Sequence, residues 1–200
     1  MTTELLSALA AFALVSSITP GPNNLMLMAS GANFGFRRTI PHMLGVGIGF
    51  TVMIVLVGVG LVQVFERVPY AYEALTVASV LYLSWLAWKI AHAGAPSGAD
   101  PDARPITFLQ AAAFQWVNPK AWTMSVGAVT LYAPGHTLWA VGLVALVFGV
   151  INLPSVSLWT VLGQQVRRLL TSPARLTAFN WSMAALLLAS LWPVLRPYFT

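Results

Sequence analysis

Thr19-Pro20-Gly21-Pro22-Asn23-Asn24 interrupts an otherwise apolar run from Leu5 to Ala29. Two prolines and a glycine cannot continue a helix smoothly, because proline lacks the N–H and its ring clashes with the preceding turn. In a soluble protein the stretch would read as a turn between two elements. Its flanks are too apolar for that, so it reads as a break inside a buried helix. A second break, Asn118-Pro119-Lys120-Ala121-Trp122, interrupts the apolar run from Phe108 to Tyr132. The two breaks stand about half the chain apart, and that pairing decides the fold that the rest of the sequence implies.

The chain has 200 residues, of which 58% are hydrophobic and only 8% charged. A soluble domain carries roughly 25% charged residues. With a mean hydropathy of +0.78, the chain cannot cover its surface with charge, so its solvent is expected to be largely lipid. Cysteine is absent, which excludes disulfides, thiol catalysis and cysteine-bound metal. The net charge of +5 comes from scattered Lys and Arg in short loops. That pattern marks cytoplasmic loops rather than a nucleic-acid surface. The N-terminus has no basic n-region or cleavage site and is expected to be retained.

A membrane helix needs roughly 20 mostly apolar residues. Six spans are expected, at about 4–30, 40–64, 70–92, 107–132, 136–163 and 175–196. The first and fourth hold the proline breaks. A solvated central loop, about 93–106, separates a first half (about 1–92) from a second (about 107–200) within one transmembrane domain. Each half opens with a proline-broken helix followed by a glycine-bearing one. Three spans per half force the halves into opposite orientation, which is the inverted-repeat plan of many transporters. The fold class is therefore an all-α integral membrane protein of six helices in two inverted three-helix repeats. Seven of the ten Lys and Arg, including Arg37, Arg38, Lys89, Arg104 and Arg167, fall on one side. The positive-inside rule then puts both termini outside the cytoplasm. Tyr70, Tyr72, Trp139, Trp192 and Tyr198 fall near span ends, as an interfacial aromatic belt requires.

Irregular backbone survives at membrane depth only where protein buries it or it lines a wet cavity. Asn118 then Pro119 is a good N-cap followed by a first helical position, and Thr19 or Gly21 before proline is a similar start. A half-helix N-terminus offers free N–H groups to an anion. The half-helix before it ends in free carbonyls, which suit an ammonium. Two such breaks could hold a zwitterion between them; the bland alternative is a pair of kinks stabilised by asparagine. The expected binding residues are Thr19, Pro20, Gly21, Pro22, Asn23 and Asn24 at one break and Asn118, Pro119 and Lys120 at the other. Lys120 is the charge placed inside the membrane, where insertion costs on the order of 2.5–3.5 kcal/mol unless a cavity receives it. Trp116 and Trp122 flank it and read more safely as packing. Asn152 and Pro154 make a weaker third break. Gly45 and Gly49 have the spacing of a close helix contact.

No enzyme site emerges. His42, His92 and His136 are scattered near span ends without metal-ligand spacing. Glu4, Glu66, Glu73, Asp100 and Asp102 lie near ends or in loops, so no buried carboxylate pair is available for hydrolysis. No phosphate-binding loop or cofactor motif is present.

TPGPNN in the first span, the following SGANFGFRRT and NPKAW in the fourth resemble the LysE/RhtB family of bacterial amino-acid exporters. The resemblance runs the whole chain. Leu83-Ser84-Trp85-Leu86-Ala87-Trp88-Lys89 and Pro105-Ile106-Thr107-Phe108 are similar to the branch that exports cysteine and O-acetylserine. The resemblance implies export of small amino acids across the bacterial inner membrane on an ion gradient, with a proton as the expected coupling ion and a homodimer left open. Many members carry aspartate after the second proline, where this chain has Asn23. That departure puts carboxylate-based proton coupling in doubt and argues against cationic cargo, leaving a neutral zwitterion. The alternatives are a carrier of another solute, ion or lipid, and an accessory membrane protein without transport.

Overall fold

The structure is a computed structural model that describes residues 1–93 and 104–198. Most of the expected central loop lies outside the described residues, as do Asp100 and Asp102. Among the described residues the chain is helical with no strand. Helix α1 spans Thr3–Ile18 and α2 spans Pro22–Gly58. They are followed by α3 (Leu61–Arg67), α4 (Ala71–Ala91), α5 (Phe108–Phe114) and α6 (Pro119–Tyr132). Next come α7 (Leu138–Arg167), α8 (Pro173–Ala189) and the short α9 (Trp192–Leu195).

Local chemistry sets these boundaries. Thr2, Thr107, Asn118, Thr137 and Ser172 each accept a backbone N–H as N-caps. Thr107 and Gln110 form a full capping box. Pro22, Pro119 and Pro173 sit at helix starts, where the missing N–H costs nothing.

Three helical stretches, Pro22–Gly58, Glu73–Ala91 and Leu138–Arg167, are long and apolar enough to cross a membrane, and α1 is a shorter apolar helix. Their outward faces are greasy along their length: Val15, Leu81, Leu146 and Val150 are all more than half exposed. Tyr70, Trp139 and Trp192 stand exposed at helix starts.

Several boundaries differ from the sequence expectation. The second span was expected to run to 64, but α2 ends at Gly58 because Gly60 turns the chain at φ 108°. The last span was expected to continue to 196, but α8 stops at Ala189 and Pro193 opens α9. Arg37 and Arg38 were expected in a loop and are instead helical. The connection there is one residue, Gly35, with φ 77°. A Cβ on Gly35 would meet nothing within 4 Å, so it is the left-handed backbone and not crowding that calls for glycine. The chain doubles back at this point. Ser30 Oγ and Thr39 Oγ1 are 2.9 Å apart, whereas residues nine apart in a straight helix are separated by ~13.5 Å. Helix α2 is thus two arms, one before and one after Gly35.

The arms organise the core. The first arm packs with α4, α8 and the middle of α7 around Met26, Leu86, Phe114 and Leu187. The second packs with α1, α6 and α7 around Phe50, Met53, Ala128 and Phe148. Phe148 meets Phe50 and Phe12 edge-on, at 5.5 and 6.0 Å between centroids. Gly45 and Gly49 let the second arm lie directly on α5: a Cβ on Gly49 would come within 2.7 Å of Ala112 Cα. A tighter crossing was not anticipated from sequence. Gly31 of the first arm faces the Thr160 carbonyl, and Gly163 of α7 faces the Met28 carbonyl, both with no room for a Cβ. Gly163→Ala should therefore destabilise the folded protein by about 1–3 kcal/mol through overpacking. Gly142→Ala, on the same helix with nothing within 4 Å of its Cβ, should be neutral or stabilising by up to ~1 kcal/mol through helix propensity. Thermal unfolding of both variants in the same detergent checks the contrast.

Candidate functional site

The helix that ends at Ile18 leaves the carbonyls of its last turn without intrahelical partners. The structure supplies partners from three other segments. Asn24 Nδ2 donates to the Ser17 and Thr19 carbonyls at 2.8 and 2.9 Å. Trp159 Nε1, on α7, donates to the Ile18 carbonyl at 3.1 Å. Lys120 Nζ, on α6, donates to the Thr19 carbonyl at 2.6 Å and to the Pro20 carbonyl at 3.4 Å. The ammonium at the first break is thus the protein's own. Lys120 reaches it because Asn118 caps α6, accepting the Lys120 N–H at 3.1 Å, with Pro119 at the first helical position.

A second link joins the breaks. Asn23 Nδ2 donates to Gln115 Oε1 at 2.9 Å, and Gln115 Nε2 returns a bond to Asn23 Oδ1 at 3.1 Å. Gln115 is fully buried. Gly21 also belongs to this contact: a Cβ there would meet Lys120 Cδ at 2.7 Å.

These groups enclose a small cavity of about 20 Å³. Gly21, Asn23, Asn24, Asn118 and Lys120 line it, together with Ser17 and Asn152. Of the other expected residues, Thr19 and Pro20 contribute carbonyls to Lys120 rather than lining, while Pro22 and Pro119 start the two helices. Asn152, in the weaker third break, lies in the same cavity. Its Nδ2 donates to Ser17 Oγ at 3.2 Å, and its Oδ1 is buried without a partner. Sequence reasoning missed Gln115, Ser17 and Trp159. Gln115 was the findable one, an amide in an apolar run three residues before Asn118. Trp116 and Trp122 do not line the cavity. Trp122 Nε1 donates to the Trp116 carbonyl at 2.8 Å and both rings join the core.

A second, roomier cavity of about 330 Å³ lies among the first arm, α4 and residues Arg104 and Ile106. Its polar lining is Ser30, Asn33, Lys89, His92 and Arg104. Asn33 and Asn180 exchange bonds at 2.8 and 3.2 Å, and Asn180 also holds the Ala93 carbonyl at 2.9 Å. Lys89 Nζ rests 5.5 Å from the centroid of the Trp85 ring. The volume falls near the small end of ligand pockets, roughly 300–1,000 Å³.

Residues 14–190 match the family described as "LysE type translocator". The chain belongs to the LysE family. It is a membrane translocator and not an enzyme. A cysteine/O-acetylserine efflux protein of Escherichia coli K12 is 32% identical over 173 residues, covering 84% of this LysE chain and 87% of the relative. The protein of the same description from Shigella sonnei matches over the same shares. No solved structure matches.

The Asn23–Gln115 pair gives this LysE chain a testable tie between its breaks. Gln115→Leu should destabilise by about 0.5–2 kcal/mol, the range for interhelical side-chain bonds in membranes. Adding Asn23→Leu should cost less than the sum of the single changes, because removing both partners leaves no stranded amide. A double-mutant cycle of unfolding in detergent measures the coupling.

Proposed function

We propose that this LysE chain exports small neutral amino acids or their derivatives, of the cysteine and O-acetylserine kind, across the bacterial inner membrane. The observation that carries the reading is Lys120 seated on the Thr19 and Pro20 carbonyls across 101 and 100 residues of sequence. Those carbonyls are a ready site for an ammonium, and Lys120 is a ready partner for a carboxylate. A zwitterion satisfies both at once. Its carboxylate draws Lys120 off the carbonyls, and its own ammonium takes the place Lys120 leaves. The free Oδ1 of Asn152 offers that ammonium a further acceptor. Asn23 and Gln115 satisfy each other and bring no charge, which suits a cargo of zero net charge. The efflux activity for which the Escherichia coli relative is named supports the same class.

The central cavity of about 20 Å³ is too small for an amino acid, so the helices around it part to admit the cargo. The 330 Å³ cavity beside Lys89 and Arg104 is the cytoplasmic vestibule. Six spans in two inverted repeats, about 1–92 and 107–200, rock against each other to expose the site alternately. The matching start of α2 at Gly21-Pro22 and of α6 at Asn118-Pro119 supports that plan. Both termini lie outside the cytoplasm, a proton gradient drives the cycle, and a homodimer is the assembly to test for.

Proteoliposomes loaded with labelled cysteine, O-acetylserine, threonine, homoserine, leucine or lysine test the reading. The neutral small amino acids should leave and lysine should not. Lys120→Ala should slow efflux about tenfold or more, as expected for one lost charged contact. Folded protein that moves none of these solutes overturns the proposal. Because the chain has no cysteine, topology can be read separately. A cysteine at Thr2 should react with an impermeant maleimide from the periplasmic side, and one at Thr171 only after permeabilisation.

A further inference from the structure

His42 lies on the second arm of α2 with none of its surface exposed. Both ring nitrogens are buried without a hydrogen-bond partner. Leaving a buried polar group unpaired costs about 1–3 kcal/mol, and ionisable groups inside a membrane bundle usually mark a path for ions or protons. Other buried polar side chains mostly find partners, Asn152 Oδ1 excepted. Ser30 pairs with Thr39, Asn33 with Asn180, and Asn23 with Gln115.

Its place in the fold gives the ring a role. Thr39, His42 and Gly45 follow at three-residue steps and so share a face of the arm. Gly45 packs that face on the Phe108 carbonyl of α5. One turn the other way, Thr39 Oγ1 touches Ser30 Oγ, and Ser30 lines the 330 Å³ cavity. A hydroxyl pair therefore runs from the cavity to the turn that carries His42. Lys89, on α4, is a charged side chain that lines the same cavity. Neither α5 nor the first arm of α2 carries a titratable side chain.

The alternatives for carrying a proton are few. Among the described residues, Glu4 and Glu73 stand exposed in the first turns of α1 and α4, and His92, also exposed, has its Nδ1 2.8 Å from the Trp88 carbonyl. Asn23 is an uncharged amide, and Lys120 serves the cargo's carboxylate in the transport reading above. Imidazole is the side chain whose ordinary pKa lies nearest physiological pH, and it can accept a proton at one nitrogen while keeping the N–H at the other.

We propose that His42 is the proton-binding residue that couples amino-acid export to the proton gradient. This rests on the transport reading above. One proton enters the neutral ring from the non-cytoplasmic side, making an imidazolium. The same proton leaves to the cytoplasmic vestibule past Thr39 and Ser30, whose hydroxyls both donate and accept. The present packing holds no acceptor for a second ring N–H, so binding the proton requires the second arm to part from its neighbours. Proton binding is thereby tied to the movement that exposes the central site.

His42→Gln in proteoliposomes separates coupling from transport. Exchange of labelled for unlabelled cysteine, with no gradient imposed, should stay within about twofold of the native rate, as for a change that leaves the cargo contacts intact. Accumulation driven by an imposed pH gradient should be lost. The pH dependence of native exchange should flatten in the variant. Retained gradient-driven accumulation by His42→Gln overturns the proposal, as does loss of both activities in a folded variant. Should His42→Gln fail to fold, Thr39→Val, which cuts the hydroxyl path, should lose gradient-driven accumulation while keeping exchange, and retained accumulation overturns the proposal; coupling itself is read on the native protein. A pH-reporting dye inside the vesicles should register proton movement with cargo, and cargo movement without it refutes coupling while leaving the transport reading intact. A native protein that exchanges no amino acid refutes the transport reading itself.

Discussion

Carbonyls that a broken helix leaves open need donors from elsewhere in the chain, and the contacts around the first break answer to that need. The last turn of α1 and the break after it expose the oxygens of Ser17, Ile18, Thr19 and Pro20. Asn24 from α2, Trp159 from α7 and Lys120 from α6 satisfy them. Each donor comes from a different element, so meeting one local demand fixes the positions of three helices. The charged donor is the least expected choice, since a neutral amide would satisfy a carbonyl without bringing a charge into the bundle. Its presence is what turns a structural repair into a site with chemistry.

The two-armed α2 is the second organising element. Gly35 reverses the chain in one residue, and the Ser30–Thr39 contact closes the fork. The first arm then lies against α7 where Gly31 and Gly163 permit backbone contact, while the second lies along α5 through Gly45 and Gly49. Side-chain-free crossings of this kind gain van der Waals contact where lipid offers no hydrophobic drive between helices.

How much of this was legible in the sequence depends on where each signal resides. Pro20, Pro22 and Pro119 announce themselves, because a missing N–H has the same consequence in any context. The family resemblance was legible for a similar reason: the motif is short, local and unusual. Lys120 stood out because a charge in an apolar run demands a partner, although its partner turned out to lie on the chain itself. Gly35 gave no warning, since a positive φ is a property of the folded path and one glycine among fifteen looks like any other. Gln115 and Trp159 are equally ordinary in sequence and gain meaning only from what the third dimension sets beside them. His42 looks in sequence like any histidine near the start of a span, and only the packing of the second arm shows that none of its surface is exposed.

The ammonium of Lys120 has a consequence for affinity as well as for geometry. A ligand attached to the same chain acts as a competitor at a fixed local concentration, in the millimolar range or above for a short tether. Cargo entering the centre of a carrier of the proposed kind must displace that competitor, so part of every cargo contact is spent on the exchange. Binding is weakened on both sides of the membrane alike. For a pump whose task is to discharge solute into a dilute exterior, weak retention is an advantage. The internal rival refills the seat as the cargo leaves, which hastens release and leaves the unloaded carrier with no empty charge site to trap a stray ion.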